Sequence, residues 1–78
     1  MKNVTIYSTP SCHFCHLAKE FFKEKGVAFV DYDVSRDETR RNEMMQKSGQ
    51  MGVPVIVVGD DMIIGFDQAK LESLLEIA

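Results

Sequence analysis

Residues 4–15, VTIYSTPSCHFC, run from a strand signal directly into a helix start. Val4, Thr5, Ile6 and Tyr7 are β-branched or aromatic, and such side chains fit a pleated, half-buried surface. Ser8-Thr9-Pro10-Ser11 breaks that strand, and Pro10 with Ser11 signals a helix beginning near Cys12. Phe14, Ala18, Phe21 and Phe22 then form one apolar stripe at helical spacing, which carries the helix to about Lys25. Lys23 and Lys25 occupy the last turn, where the helix dipole favours cations, and Gly26 supplies the stop.

Val27 to Val34 reads as the next strand, with Val30, Tyr32 and Val34 on one face and Phe29, Asp31 and Asp33 on the other. Two carboxylates on one side suit a sheet edge. Strand, helix and strand make one βαβ unit, which predicts a parallel pair joined by a right-handed crossover. Ser35-Arg36-Asp37-Glu38 has the pattern of a capping box. It predicts a second helix to about Ser48, stopped by Gly49, whose apolar content is mainly Met44 and Met45.

Val53-Pro54 leads into Val55-Ile56-Val57-Val58, an apolar run expected to be buried on both faces. Gly59-Asp60-Asp61 reads as a turn and Met62-Ile63-Ile64 as the returning strand of a hairpin. Gly65-Phe66-Asp67 closes it, with Asp67 placed to cap a last helix whose stripe is Leu71, Leu74, Leu75 and Ala78. The expected order is β-α-β-α-β-β-α: an α/β fold with a four-stranded mixed sheet and helices on both faces.

At 78 residues the chain is expected to be a single domain, 1–78, with a small core. Its 45% hydrophobic and 27% charged residues are ordinary for a globular protein. A formal net charge of −3 argues against nucleic acid or anionic membrane as partner. No stretch approaches the roughly 20 apolar residues that span a bilayer. The opening residues 1–8 lack the pattern of a secretory signal, so the expected address is a reducing cytoplasm.

The two cysteines, Cys12 and Cys15, are two residues apart. A bridge closing so short a loop removes little unfolded-state entropy, so the pair is poorly placed for stapling the fold and well placed for chemistry. C-x-x-C at the strand-to-helix junction of a βαβ unit is the context in which the motif is redox-active. The helix N-terminus offers unpaired N–H groups and partial positive charge to a thiolate, and the i, i+3 spacing brings both sulfurs to one side. Cys12 is therefore assigned as the attacking nucleophile and Cys15 as the resolving thiol. Other readings stay open: a zinc site using His13 or His16, or two inert packed cysteines. His13 can act as a nearby cation or as a solvated side chain.

The whole chain resembles the glutaredoxins, including the glutaredoxin-like proteins of bacteria and archaea. Ile6-Tyr7-Ser8 followed by Cys12-x-x-Cys15-His16-x-Ala18-Lys19 looks like that family's active-site segment. Gly52-Val53-Pro54 is similar to its Thr-Val-Pro loop, and Gly65-Phe66-Asp67 to its Gly-Gly-Cys-Asp segment. The resemblance implies a thioredoxin-like fold with a cis bond before Pro54. It also implies a Val53 backbone that pairs with an extended substrate or glutathione, and close approach of that substrate at Gly65. The helix start at Phe66 and Asp67 would receive the γ-glutamyl carboxylate of glutathione. Structural readings stand beside these: Pro54 begins a strand, Gly65 ends one and Asp67 caps a helix.

The chain also departs from the family pattern. His13 and Phe14 stand where Pro and Tyr are usual, Thr9 where a Lys is usual, and Gln50 where many members carry a basic residue. Lys47 and Arg41 are the candidates to replace those charges. Gly65-Phe66 is also similar to the Ser-Gly-Phe-Arg segment of the glutaredoxin-like reductants of ribonucleotide reductase, with Asp67 in place of Arg. The expected activity is dithiol reduction of protein or glutathione mixed disulfides by a monomer, with a Cys12–Cys15 disulfide as the oxidised form. No bound cofactor or metal is expected. Glutathione is the expected co-substrate, and thioredoxin reductase is the alternative electron donor. A further alternative is a [2Fe–2S] cluster held by one Cys12 per protomer with glutathione.

Overall fold

The structure, a computed structural model, describes residues 3–76. Its elements run β1 (Val4–Ser8), α1 (His13–Glu24), β2 (Val30–Asp33), α2 (Glu38–Ser48), β3 (Val55–Val58), β4 (Asp61–Ile64) and α3 (Gln68–Leu75). The four strands form one sheet in the order β2-β1-β3-β4. β1 and β2 are parallel, with Ile6 opposite Asp31, whereas β3 runs antiparallel to both β1 and β4. The expected element order, parallel βαβ pair and hairpin are all present, and β2 is an edge strand.

Alternation along the strands builds a core on each face. Val4, Ile6, Ile56, Val58 and Ile63 point to the face covered by α1 and α3, where Ala18, Phe21, Phe22 and Leu71 meet them. Ile6, Ile56 and Ile63 lie directly opposite one another across three strands, so this core has a β-branched spine. On the other face Tyr7, Val34 and Val55 pack with Met44 of α2. Each large side chain buried here contributes about 1.5–3 kcal/mol relative to exposure.

β1 runs one residue further than the sequence reading, to Ser8, and β2 stops one residue short, at Asp33; three other boundaries differ for a reason the structure shows. β2 begins at Val30 rather than Val27, because Val27 N–H is already given to Phe22 O at 2.8 Å in the closing turn of α1. Phe29 instead packs on Phe22, with ring centroids 5.3 Å apart. Val30 shares a face with Tyr32 and Val34 but is 49% exposed, beyond the cover of α2. Second, the cap of α2 is Asp37, whose side chain accepts the Arg40 N–H at 3.0 Å, not Ser35. Ser35 is held by Asp33, which accepts its N–H at 3.0 Å and its hydroxyl as well. That side-chain turn delays the helix by two residues.

Third, Asp61 belongs to β4, opposite Val58, leaving a two-residue turn at Gly59-Asp60. Gly59 takes φ +60° at the first turn position, which this hairpin class requires. Met44 is buried while Met45 is exposed, so α2 meets the sheet on a narrow strip. In α3, Leu71 is fully buried and Leu74 and Leu75 are partly buried against the core; Ala78 lies outside the described residues. Among the described residues no helix is long and apolar enough to cross a membrane.

Candidate active site

The sheet topology gathers three connections at one end. β1 delivers residues 9–12 there, β3 starts there after Pro54, and β4 ends there at Ile64. Cys12, Val53-Pro54 and Gly65-Phe66-Asp67 are thus brought to the same sheet end by strand direction alone.

Cys12 is the N-cap of α1, with extended backbone (φ −84°, ψ 113°), and its Sγ accepts the N–H of Cys15 at 3.1 Å. It is half-buried, whereas Cys15, inside the first turn, is fully buried. The two are joined as a disulfide with Cα atoms 5.2 Å apart. The loop before them is held twice. Cys12 N–H donates to Thr9 O at 3.2 Å, closing a tight turn. His16 reaches back from α1 and places Nε2 2.7 Å from Pro10 O. A carbonyl only accepts, so Nε2 carries the proton of this bond. His16 is therefore a clip on the cysteine loop, a role that the sequence reading missed because its signal is a side-chain direction. His13 is exposed, edge-on to Phe14 at 5.6 Å. Among the described residues no cluster of three or more His, Cys, Asp or Glu is arranged to hold a metal ion.

The cysteine end of β1 is anchored on both faces of the sheet. Ser8, buried, donates its hydroxyl to Asp31 at 2.6 Å, and Lys19 of α1 meets the other Asp31 oxygen at 2.9 Å. That triangle fastens α1 to β2 just below the cysteines. On the opposite face the Tyr7 hydroxyl donates to Glu43 at 2.7 Å, and Arg40 binds the same carboxylate at 3.2 Å while lying 4.1 Å over the Tyr32 ring. The Tyr7 bond, aided by Arg40, holds the Glu43 carboxyl below its usual value of 4.5. Burial, reinforced by Glu43, pushes the Tyr7 phenol well above the usual tyrosine range.

The Val53–Pro54 bond is cis, and Pro54 is buried while Val53 is half-buried against the α2-side core. Pro54 O accepts the Gly65 N–H at 2.8 Å, which ties the start of β3 to the end of β4. Gly65 has φ +91°, and a side chain there would point into open space. The ring of Phe66 turns inward, edge-on to Phe21 at 5.9 Å. Asp67 caps α3 by accepting the Lys70 N–H at 3.1 Å. Gln50 folds onto its own loop: its side-chain amide donates to Gly52 O at 3.0 Å and accepts the Gly52 N–H. Its backbone carbonyl also accepts the Ser48 hydroxyl at 2.9 Å. Its amide nitrogen also donates to the Ser48 hydroxyl at 3.3 Å, so Gln50 shapes the run into Val53 and keeps no spare side-chain N–H for a ligand carboxylate.

Comparison with known proteins places this geometry. The Glutaredoxin family model matches residues 4–63. A glutaredoxin-like 8.6 kDa protein in the rubredoxin operon of Clostridium pasteurianum is 44% identical over 73 residues, covering 94% of this chain and 97% of that one. Glutaredoxin 3 of Escherichia coli K12 is 37% identical over 67 residues, covering 86% of this chain and 81% of its own. The crystal structure of a mutant of the thioredoxin-like protein BC3987 superposes with a TM-score of 0.92 at 33% identity, covering 100% of both chains.

Proposed function

The chain belongs to the glutaredoxin family and is a thiol–disulfide oxidoreductase; from that premise we propose that it is a dithiol reductase of protein disulfides and glutathione mixed disulfides. The observation that carries this reading is the inequality of the two sulfurs: Cys12 half-exposed on a helix cap, Cys15 fully buried beneath it.

In the proposed cycle the Cys12 thiolate attacks one sulfur of the substrate disulfide. The substrate S–S bond breaks, a Cys12–substrate disulfide forms, and the first substrate thiolate leaves and takes a proton from solvent. The Cys15 thiol then attacks the Cys12 sulfur, the Cys12–Cys15 bond forms, and its proton leaves with the second substrate thiol. Two electrons pass from the protein dithiol to the substrate. The Cys15 N–H aimed at Cys12 stabilises the thiolate at the start and the same sulfur as leaving group at the end. The Val53 backbone is the edge along which an extended substrate pairs, with Pro54 fixing its direction and Gly65 leaving room opposite. Phe66 and the N-cap Asp67 lead into α3, whose first N–H groups face the γ-glutamyl carboxylate of glutathione in this reading.

Two donors return the disulfide to the dithiol: two molecules of glutathione, or thioredoxin reductase. Thr9 in place of a lysine and the self-bonded amide of Gln50 favour the reductase. In this reading the protein works as a monomer in a reducing cytoplasm with no bound cofactor. Steady-state reduction of a model disulfide, driven by glutathione with its reductase or by thioredoxin reductase, tests it. Turnover with either donor supports the dithiol enzyme and names its partner; turnover with neither, together with a coloured, cluster-bearing protein after anaerobic purification, replaces it with the [2Fe–2S] alternative.

A further inference from the structure

The two flanks of α1 are built differently. Toward β2 the flank is closed by the Lys19–Asp31 pair. Toward α3, Phe14, Leu17 and Phe21 follow at i, i+3 and i+7, one stripe that starts between the cysteines and runs down the helix. Phe14 is 56% exposed and Leu17 38%. The stripe ends against Phe66, and α1 and the start of α3 enclose a groove of about 240 Å³ there, floored by Leu17, Phe21 and Phe66.

The outer wall of this groove is Glu20 and Glu24. They stand one turn apart on the same side, where like charges repel. Neither carboxylate has a hydrogen-bond or ion-pair partner among the described residues. Lys25 lies at the far end. An apolar floor beside two unanswered negative charges, linked to the sulfur pair by the exposed Phe14 and Leu17 side chains, has the chemistry of a peptide site rather than of a small-molecule pocket. From Phe14 to Glu24 the helix rises about 15 Å, the length of four or five extended residues.

We propose that this groove docks a segment of a protein partner that flanks its disulfide and carries one apolar side chain followed by Lys or Arg. The apolar side chain rests on Leu17 and Phe66, and the cations pair with Glu20 and Glu24. The inference rests on the thiol–disulfide reading and adds to it a rule of partner choice: residues beside the partner's disulfide, not the disulfide alone, set the rate.

Two peptides test it, each with an intramolecular disulfide and five-residue tails at both ends; one tail set carries Leu with two Arg, the other Leu with two Glu. The readout is the single-turnover rate at which each oxidises the reduced protein. The basic peptide is expected to react about fivefold faster at low ionic strength, with the preference shrinking as salt rises. In E20Q/E24Q the ratio is expected to fall to about one. Equal rates in the unaltered protein overturn the proposal, as does a preference that survives E20Q/E24Q, which would assign it to overall charge. A cysteine-free version of the basic peptide separates the two readings. Amide shifts at Leu17, Glu20, Glu24 and Phe66 support the groove even if neither peptide is reduced, an outcome that sinks the redox reading instead. Shifts confined to other surfaces overturn the groove.

Discussion

The sulfur of Cys12 accepts the N–H of Cys15 at 3.1 Å, so the half-buried cysteine caps the helix that carries its fully buried partner. The same bond serves folding, by satisfying a donor that the helix geometry leaves orphaned, and chemistry, by stabilising negative charge on sulfur. Serine is a strong N-cap. Cys12→Ser is therefore expected to keep the helix start and the reduced-state melting temperature while abolishing thiol transfer. Calorimetry beside a disulfide-reduction assay checks this, and residual activity near the native rate would move the nucleophile elsewhere.

Cys15 is fully buried, and removing it leaves the mixed disulfide on Cys12 with no internal thiol to release it. Cys15→Ala is expected to accumulate a covalent protein–substrate adduct visible by mass spectrometry. Dithiol turnover is lost, and exchange that excess glutathione can complete survives. The stability loss is small, about 1 kcal/mol, because only one sulfur leaves the core.

Gly65 combines φ +91° with open space beyond its Cα. Gly65→Ala meets no clash, so its cost is conformational, about 1 kcal/mol by urea unfolding. The new methyl group would stand where the proposed substrate backbone runs. The expected kinetic signature is a raised KM for peptide disulfides, with the alkylation rate of Cys12 by iodoacetamide unchanged.

Glu43 is the acid-sensitive joint between α2 and β1. Its folded-state pKa lies below the usual 4.5, chiefly through the Tyr7 hydrogen bond. A depressed carboxyl stabilises the fold above its unfolded-state value and loses that contribution as pH falls through the folded-state value. Melting temperature is therefore expected to fall as the solution is acidified through and below the usual carboxylate value of 4.5. The drop is expected to be shallower in Glu43→Gln, although Asp33, also held below its usual 3.8 by Ser35, continues to contribute. Tyr7→Phe removes the same bond and is expected to cost about 1 kcal/mol near neutral pH.

The elements that a period of two or a helical stripe dictates were legible in the sequence: the Val4–Tyr7 strand, which the structure extends to Ser8, the Val55–Val58 strand and the Asp67 cap. The α1 stripe was legible at Ala18, Phe21 and Phe22, although its first member Phe14 is exposed. The cysteine pair was legible because its spacing and its place after a strand are one-dimensional facts. The misread boundaries share a physical cause. Ser35 and Asp37 are both competent caps, and only Asp33 folding onto Ser35 decides between them. Val27 has the composition of a strand residue, yet its N–H is taken by the helix before it. The His16 clip, the Tyr7–Glu43 bond across 36 positions and the self-bonded Gln50 depend on side-chain directions that no local pattern encodes.

The Gly59-Asp60 turn sits at the sheet end opposite the cysteines, since Val58 pairs with Val4 while Val55 pairs with Tyr7. Both turn residues are exposed, and the Gly59 N–H is tied to Asn3 O at 2.9 Å. A dye, biotin or gold-binding group attached at Asp60 therefore presents every molecule in an array with its sulfurs turned outward, an orientation that the hairpin supplies without touching any residue of the redox end.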